Sequence, residues 1–104
     1  MKRVAFKMKL HPGQEAEYER RHRAIWPELA SLLKAAGVAD YSIFLDVETL
    51  ILFAYLRIED PAELDKMRTE ALMWKWWDHM KDIMDVHPDT SPVATPLKEI
   101  FYLC

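Results

Sequence analysis

The chain has 104 residues, 51% of them hydrophobic and 30% charged, which suits one compact domain with a filled core and excludes wholesale disorder. Its 14 Lys and Arg stand against 17 Asp and Glu for a net charge of -3, without the cationic excess that a phosphate backbone rewards, so no nucleic acid partner is expected. The two glycines, Gly13 and Gly37, are too far apart for a phosphate-binding Gly-rich turn. The single cysteine, Cys104, leaves no intrachain disulfide or paired-thiolate zinc site and favours a reducing compartment.

From Val4 to Leu10 the apolar residues Val4, Phe6, Met8 and Leu10 alternate with Ala5, Lys7 and Lys9, the two-residue period of a half-buried strand. The turn His11-Pro12-Gly13 precedes a helix in which Tyr18, His22, Ile25 and Leu29 recur at helical spacing, with acids early and Arg20, Arg21 and Arg23 later. Pro27 predicts a kink or the start of a second helix, and Gly37 supplies a left-handed residue to end the segment. Tyr41 to Leu45 and Leu50 to Ile58 are rich in β-branched and aromatic residues. The short polar link Asp46-Val47-Glu48-Thr49 predicts that they pair as an antiparallel hairpin. Asp60-Pro61-Ala62-Glu63 reads as a capping box, with Asp60 accepting from backbone amides and Glu63 reaching back. The helix it opens carries Met73, Trp77, Met80 and Met84, with a break expected near Thr69. A loop rich in proline and aspartate, His87 to Pro96, leads to Leu97–Leu103, whose alternation predicts a last strand closing the sheet.

The order strand, helix, strand, strand, helix, strand predicts an α+β fold, a ferredoxin-like βαββαβ sandwich formed by a single domain over residues 1–104. Strand three is apolar on both sides, with Leu50, Leu52, Ala54 and Leu56 on one and Ile51, Phe53 and Tyr55 on the other. Two helices cover one face only, so the other predicts a homodimer. The longest apolar run, Leu50 to Leu56, stops at Arg57, far short of the roughly 20 residues that span a bilayer, so no membrane association is expected. Met1, Lys2 and Arg3 lead into alternating residues rather than a continuous apolar signal, and a cytoplasmic location is expected.

His22 falls on the apolar stripe of the first helix, one turn after Tyr18. A half-buried imidazole there can exchange a proton near neutrality, with the Tyr18 hydroxyl close enough to share a ligand; it can equally be a core histidine bonded to backbone, and spacing leaves both readings open. In MWKWWDHM, neighbouring tryptophans point roughly 100° apart on a helix, so Trp77 is expected to face the core while Trp76 lines an edge or pocket. Such faces suit sugar C–H surfaces, though large core residues, Trp74 above all, give the same pattern. Tyr41 offers another aromatic face with a polar tip. His11, His79 and His87 have no zinc-like spacing and no metal site is expected. Arg20, Arg21 and Arg23, beside Glu17 and Glu19, read as a solvated helix face, and no Ser-His-Asp cluster suggests a nucleophilic triad.

Tyr18 followed by RRHRAIWPEL (Arg20 to Leu29), Tyr41, the pair Trp76-Trp77, PDTSPV (Pro88 to Val93) and the terminal EIFYL (Glu99 to Leu103) together resemble the L-rhamnose mutarotase family over essentially the whole chain. The resemblance implies a dimeric α/β barrel of ferredoxin-like subunits and interconversion of the α and β anomers of L-rhamnose without a cofactor. It places the family's proton donor at His22 and its sugar contacts at Tyr18, Tyr41, Trp76 and Trp77. It names no base partner; a bound water, a tyrosine or a carboxylate such as Glu28 all fit. Two other classes remain: a haem-binding or small oxidative enzyme of the same barrel type, since fold alone does not fix function, and a non-catalytic sugar-binding module.

Overall fold

A computed structural model of the chain describes residues 1–104. Its strands are β1 (Lys2–Lys9), β2 (Ala39–Asp46), β3 (Ile51–Ile58) and β4 (Thr95–Pro96), and its helices α1 (Glu15–Arg23), α2 (Pro27–Ala35), α3 (Ala62–Lys66) and α4 (Ala71–Met80). The strands form one antiparallel sheet in the order β2-β3-β1-β4, the ferredoxin-like arrangement that the element order predicts. Register follows the hydrophobic alternation: Val4 faces Leu56, Phe6 faces Ala54, Met8 faces Leu52, and Leu45 meets Leu52 from the other side. Slipping β1 by one residue against β3 would turn Val4, Phe6 and Met8 to the opposite face of the sheet.

Local chemistry sets the ends of the elements. At His11-Pro12-Gly13-Gln14 the Gln14 amide donates to the His11 carbonyl, with Gly13 at φ 80, a type II turn that needs a residue tolerant of positive φ. α1 has Glu15 and Glu17 in its first turn and Arg20 to Arg23 in its last, complementing the helix dipole. Pro27 opens a separate helix instead of kinking the first, because the missing amide hydrogen costs nothing at the first helical position. α2 ends in a Schellman motif: the Val38 amide donates to the Leu33 carbonyl and the Gly37 amide to that of Lys34, with Gly37 at φ 93.

Three expectations are corrected. Leu50 does not open the third strand; it sits at φ 62 and its amide closes the turn onto the Asp46 carbonyl at 2.8 Å, while the Asp46 carboxylate accepts from Thr49 and from the Glu48 amide. The capping box is half formed. Asp60 accepts from the Ala62 amide at 3.0 Å, but Glu63 pairs with Lys66, and α3 stops after five residues. A 3₁₀ turn over Met67–Thr69 and an extended Glu70 separate it from α4; the Thr69 hydroxyl donates to the Lys66 carbonyl, a local bond that competes with helix continuation, and the break falls where it was expected. The last strand is only Thr95–Pro96 rather than Leu97–Leu103. Beyond the Leu97 amide, which donates to the Ala5 carbonyl, the tail leaves the sheet. Glu99 pairs with the Arg3 guanidinium, which stacks over the Tyr102 ring, and the alternating Ile100, Phe101 and Leu103 find no face of this chain and stay exposed.

The core gathers Met8, Leu10, Leu29, Leu52, Ala54, Met73, Trp76, Met80, Ile83 and Met84 between the sheet and the helices. α4 contributes Met73, Trp76 and Met80, three and four residues apart on one face. No helix is long and apolar enough to cross a membrane.

Candidate functional site

Between the inner face of the sheet and the helices lies a cavity of about 1060 Å³. Its walls are mostly apolar, and Tyr18, His22, Tyr41, Trp76 and Trp77 all line it. Three elements of separate origin in the sequence, α1, β2 and α4, therefore converge on one volume.

Each side chain is held there by a local feature. Tyr18 and His22 lie one turn apart on α1, rings 4.3 Å apart at 30°. Tyr41 is presented by a β-bulge: Ala39 pairs with Arg57 and Ser42 with Tyr55, so Asp40 and Tyr41 together oppose Leu56. Asp40 absorbs the irregularity at φ 52, a conformation Asp tolerates, and its carboxylate is tied to Arg57 at 3.0 Å. Trp76 stands edge-on to His22 at 5.5 Å and to Trp26 at 5.1 Å. Trp76 lines the cavity as expected but is also the more deeply buried of the pair, 6% exposed, whereas Trp77, expected to face the core, is half-buried, packed against Trp74 and approached by the Arg68 guanidinium. Trp74 is no plain core residue either, since its indole N–H donates to the Arg68 carbonyl at 2.7 Å.

The geometry fixes the tautomer of His22. Its Nδ1 lies 3.0 Å from the Tyr18 carbonyl oxygen, which can only accept, so Nδ1 carries the hydrogen and Nε2, with no protein partner, keeps a free lone pair. Burial pushes the imidazole below its ordinary pKa, outweighing the opposing effect of that backbone bond, so the neutral ring prevails at neutral pH. Burial also raises both tyrosines: Tyr41, though 40% exposed as a residue, is pushed up to about 12, and Tyr18 is raised further with the neighbouring Tyr41 adding to the effect. Both stay protonated and serve as neutral hydrogen-bonding groups.

The other ionisable side chains on the cavity wall are Glu15, Glu19, Lys34, Asp40 and Arg68. Glu19 is engaged by Arg23 and Asp40 by Arg57. Glu28 is exposed and outside the cavity, which removes it as a base partner. His11 is paired with Asp85, the His87 amide turns onto Ser91, and His79 lies against Trp26 and Trp76; no group of three or more His, Cys, Asp or Glu could hold a metal ion. Among the arginines, Arg20 and Arg23 are solvated as expected, but Arg21 is only 11% exposed and bonds to groups on α1 and at the end of α4. Sequence reasoning gave no role to Trp26. Its signal is its place before Pro27, which holds it extended at ψ 129, so the ring lies against Trp76.

An imidazole with one unpartnered nitrogen, lining one cavity with two neutral tyrosines and flat aromatic surfaces, can exchange a proton with a small polar ligand that has an apolar face. Comparison with known proteins agrees with that chemistry. The family model described as L-rhamnose mutarotase matches residues 3–103. A protein of Bacteroides thetaiotaomicron named L-rhamnose mutarotase is 55% identical over 103 residues, and one of Rhizobium meliloti with the same name is 52% identical, each covering 99% of both chains. The crystal structure of an L-rhamnose mutarotase from Formosa agariphila superposes with a TM-score of 0.92 at 48% identity over 99% of each chain. A Pseudomonas aeruginosa structure matches at TM-score 0.60 and 15% identity over 95% of this chain and 93% of its own, a likeness of fold alone. The chain belongs to the L-rhamnose mutarotase family.

Proposed function

We propose that the chain is an L-rhamnose mutarotase acting as one domain, in which His22 carries the proton and Tyr18, Tyr41, Trp76 and Trp77 bind the sugar. The observation that carries the reading is the pinned Nδ1–H of His22 beside a free Nε2. The anomeric oxygen O1 and the ring oxygen O5 sit on the same carbon, so one nitrogen can serve both in turn. Nε2 takes the proton of O1–H; the O1 electron pair forms C1=O1 as the C1–O5 bond breaks; Nε2–H then returns the proton to O5. Rotation about C1–C2 in the open aldehyde and reversal of these steps give the other anomer, with no net proton consumed. This ordering makes His22 the base first and the acid second, and needs no separate base.

Tyr18 and Tyr41, kept protonated by burial, hold sugar hydroxyls, and the aromatic faces of Trp76 and Trp77 pack on the apolar ring face and the C6 methyl. Because mutarotation proceeds unaided in water, one well-placed group worth about 10² to 10⁴ in rate is a sufficient catalyst. Full-length likeness to mutarotases favours this reading over a haem enzyme or a passive sugar-binding module.

The functional unit is a homodimer. The outer sheet face leaves Phe44 66% and Phe53 39% exposed, and the tail adds Ile100, Phe101 and Leu103, an apolar surface that a second copy would cover. The cytoplasm is the working compartment, in keeping with the one exposed, unpaired cysteine, Cys104.

The experiment is anomer exchange of L-rhamnose followed by NMR magnetisation transfer. His22→Ala is expected to lose about 10² to 10⁴ of the catalysed rate with the fold intact, and Trp76→Ala to lose rate mainly at low sugar concentration. Equal exchange by wild type and His22→Ala removes His22 from the mechanism.

A further inference from the structure

The helix that carries Tyr18 and His22 has little apolar surface with which to hold its place. Of the nine residues of α1 only Tyr18 is buried, and no side chain caps its N-terminus. A helix that short and polar is marginal by propensity and depends on tertiary contacts. Arg21 supplies a directed one. Its Nε donates to Glu17 at 2.7 Å on α1, its Nη1 to the His79 carbonyl at 2.6 Å and to Asp82 at 2.8 Å, and its Nη2 to the second Asp82 oxygen at 3.1 Å. Arg20 grips the same Glu17 carboxylate from the other side at 2.8 and 2.6 Å. One planar guanidinium thus joins α1, at the residue next to His22, to α4, three residues past Trp76, and to the segment that follows.

We propose that Arg21 is a positioning residue for the reaction: by locking α1 onto the end of α4 it sets where the His22 imidazole stands against Trp76 and the cavity. Arg21 does not itself line the cavity, so it acts only through His22. The raised Arg21 pKa and the lowered Asp82 pKa, each caused first by the hydrogen bonds between them, and the lowered Glu17 pKa, caused first by Arg20 and then by Arg21, accord with a permanently charged clamp. Lysine cannot stand in, because its single ammonium lacks the fork that reaches Glu17, the carbonyl and both Asp82 oxygens at once.

The inference rests on His22 as the proton-transfer group, and the test separates the two. Arg21→Lys and the milder Asp82→Asn are made in the full chain, with anomer exchange normalised to folded protein and the His22 ring titrated by NMR. The expected result is a fall in kcat of about tenfold, since small misplacements of a reacting group are costly, with KM changed far less. The His22 titration should move up toward the value of a solvated imidazole, and the double variant should be no worse than the worse single one. Lowered thermal stability with unchanged kcat per folded molecule and an unmoved His22 titration would make Arg21 merely structural and overturn the proposal. If His22→Ala proved fully active, the ring titration would still report whether Arg21 places that ring.

Discussion

The two faces of the sheet are built from similar residues and end in different surroundings. On the inner face of β3, Leu52, Ala54, Leu56 and Ile58 are at most 2% exposed; on its outer face Phe53 is 39% exposed, and its neighbour Phe44 on β2 is 66% exposed. Both faces are apolar, so hydrophobicity alone does not say which holds the core. The helices decide: α1, α2 and α4 all lie over the inner face, and each contributes both to the core and to the wall of the cavity. The outer face keeps an exposed aromatic surface, the one through which the proposed homodimer would form.

That difference can be tested from either side. On the inner face, Leu52→Ala removes a side chain wedged between Met8 and Leu45, and a loss of about 2–5 kcal/mol in denaturant unfolding is expected. A loss below about 0.5 kcal/mol, typical of surface sites, would mean this face is not the core. On the outer face, Phe53→Asp is expected to change the stability of the fold within about that surface range but to convert the dimer to monomer in sedimentation equilibrium. A variant that stays dimeric, or a wild type that is monomeric at micromolar concentration, would show that this face is not the interface.

Much of this arrangement was legible from residue spacing. The two-residue alternation of Val4 to Leu10 located β1 and the side it buries, and Tyr18 and His22 were placed together by helical periodicity. What remained hidden depends on long-range geometry. The tail alternates like a strand, yet pairing needs an edge or face to pair with, and past Leu97 this chain supplies only the Arg3 side chain. Which of two adjacent tryptophans is buried depends on the rotation of α4 about its axis, and Trp76 meets His22 of α1 and Trp26 of the link to α2. Arg21 looked like one more solvated charge because Asp82 and the His79 carbonyl are far away along the chain. The bulge that presents Tyr41 left no glycine to announce it, only Asp40 in a conformation that few side chains accept.

The central claim is that His22 starts neutral and takes the proton of the anomeric hydroxyl first. Burial lowers its pKa, so on acidification the ring stays neutral until the pH falls below the ordinary imidazole value of about 6.5. The measurement is the pH dependence of enzyme-catalysed anomer exchange at low rhamnose, recorded beside the NMR titration of the His22 ring in the free protein. Catalysed exchange should be level near neutrality and decline on acidification with the midpoint of the ring. Exchange that rises as His22 becomes protonated would contradict the account and make the imidazolium the starting acid.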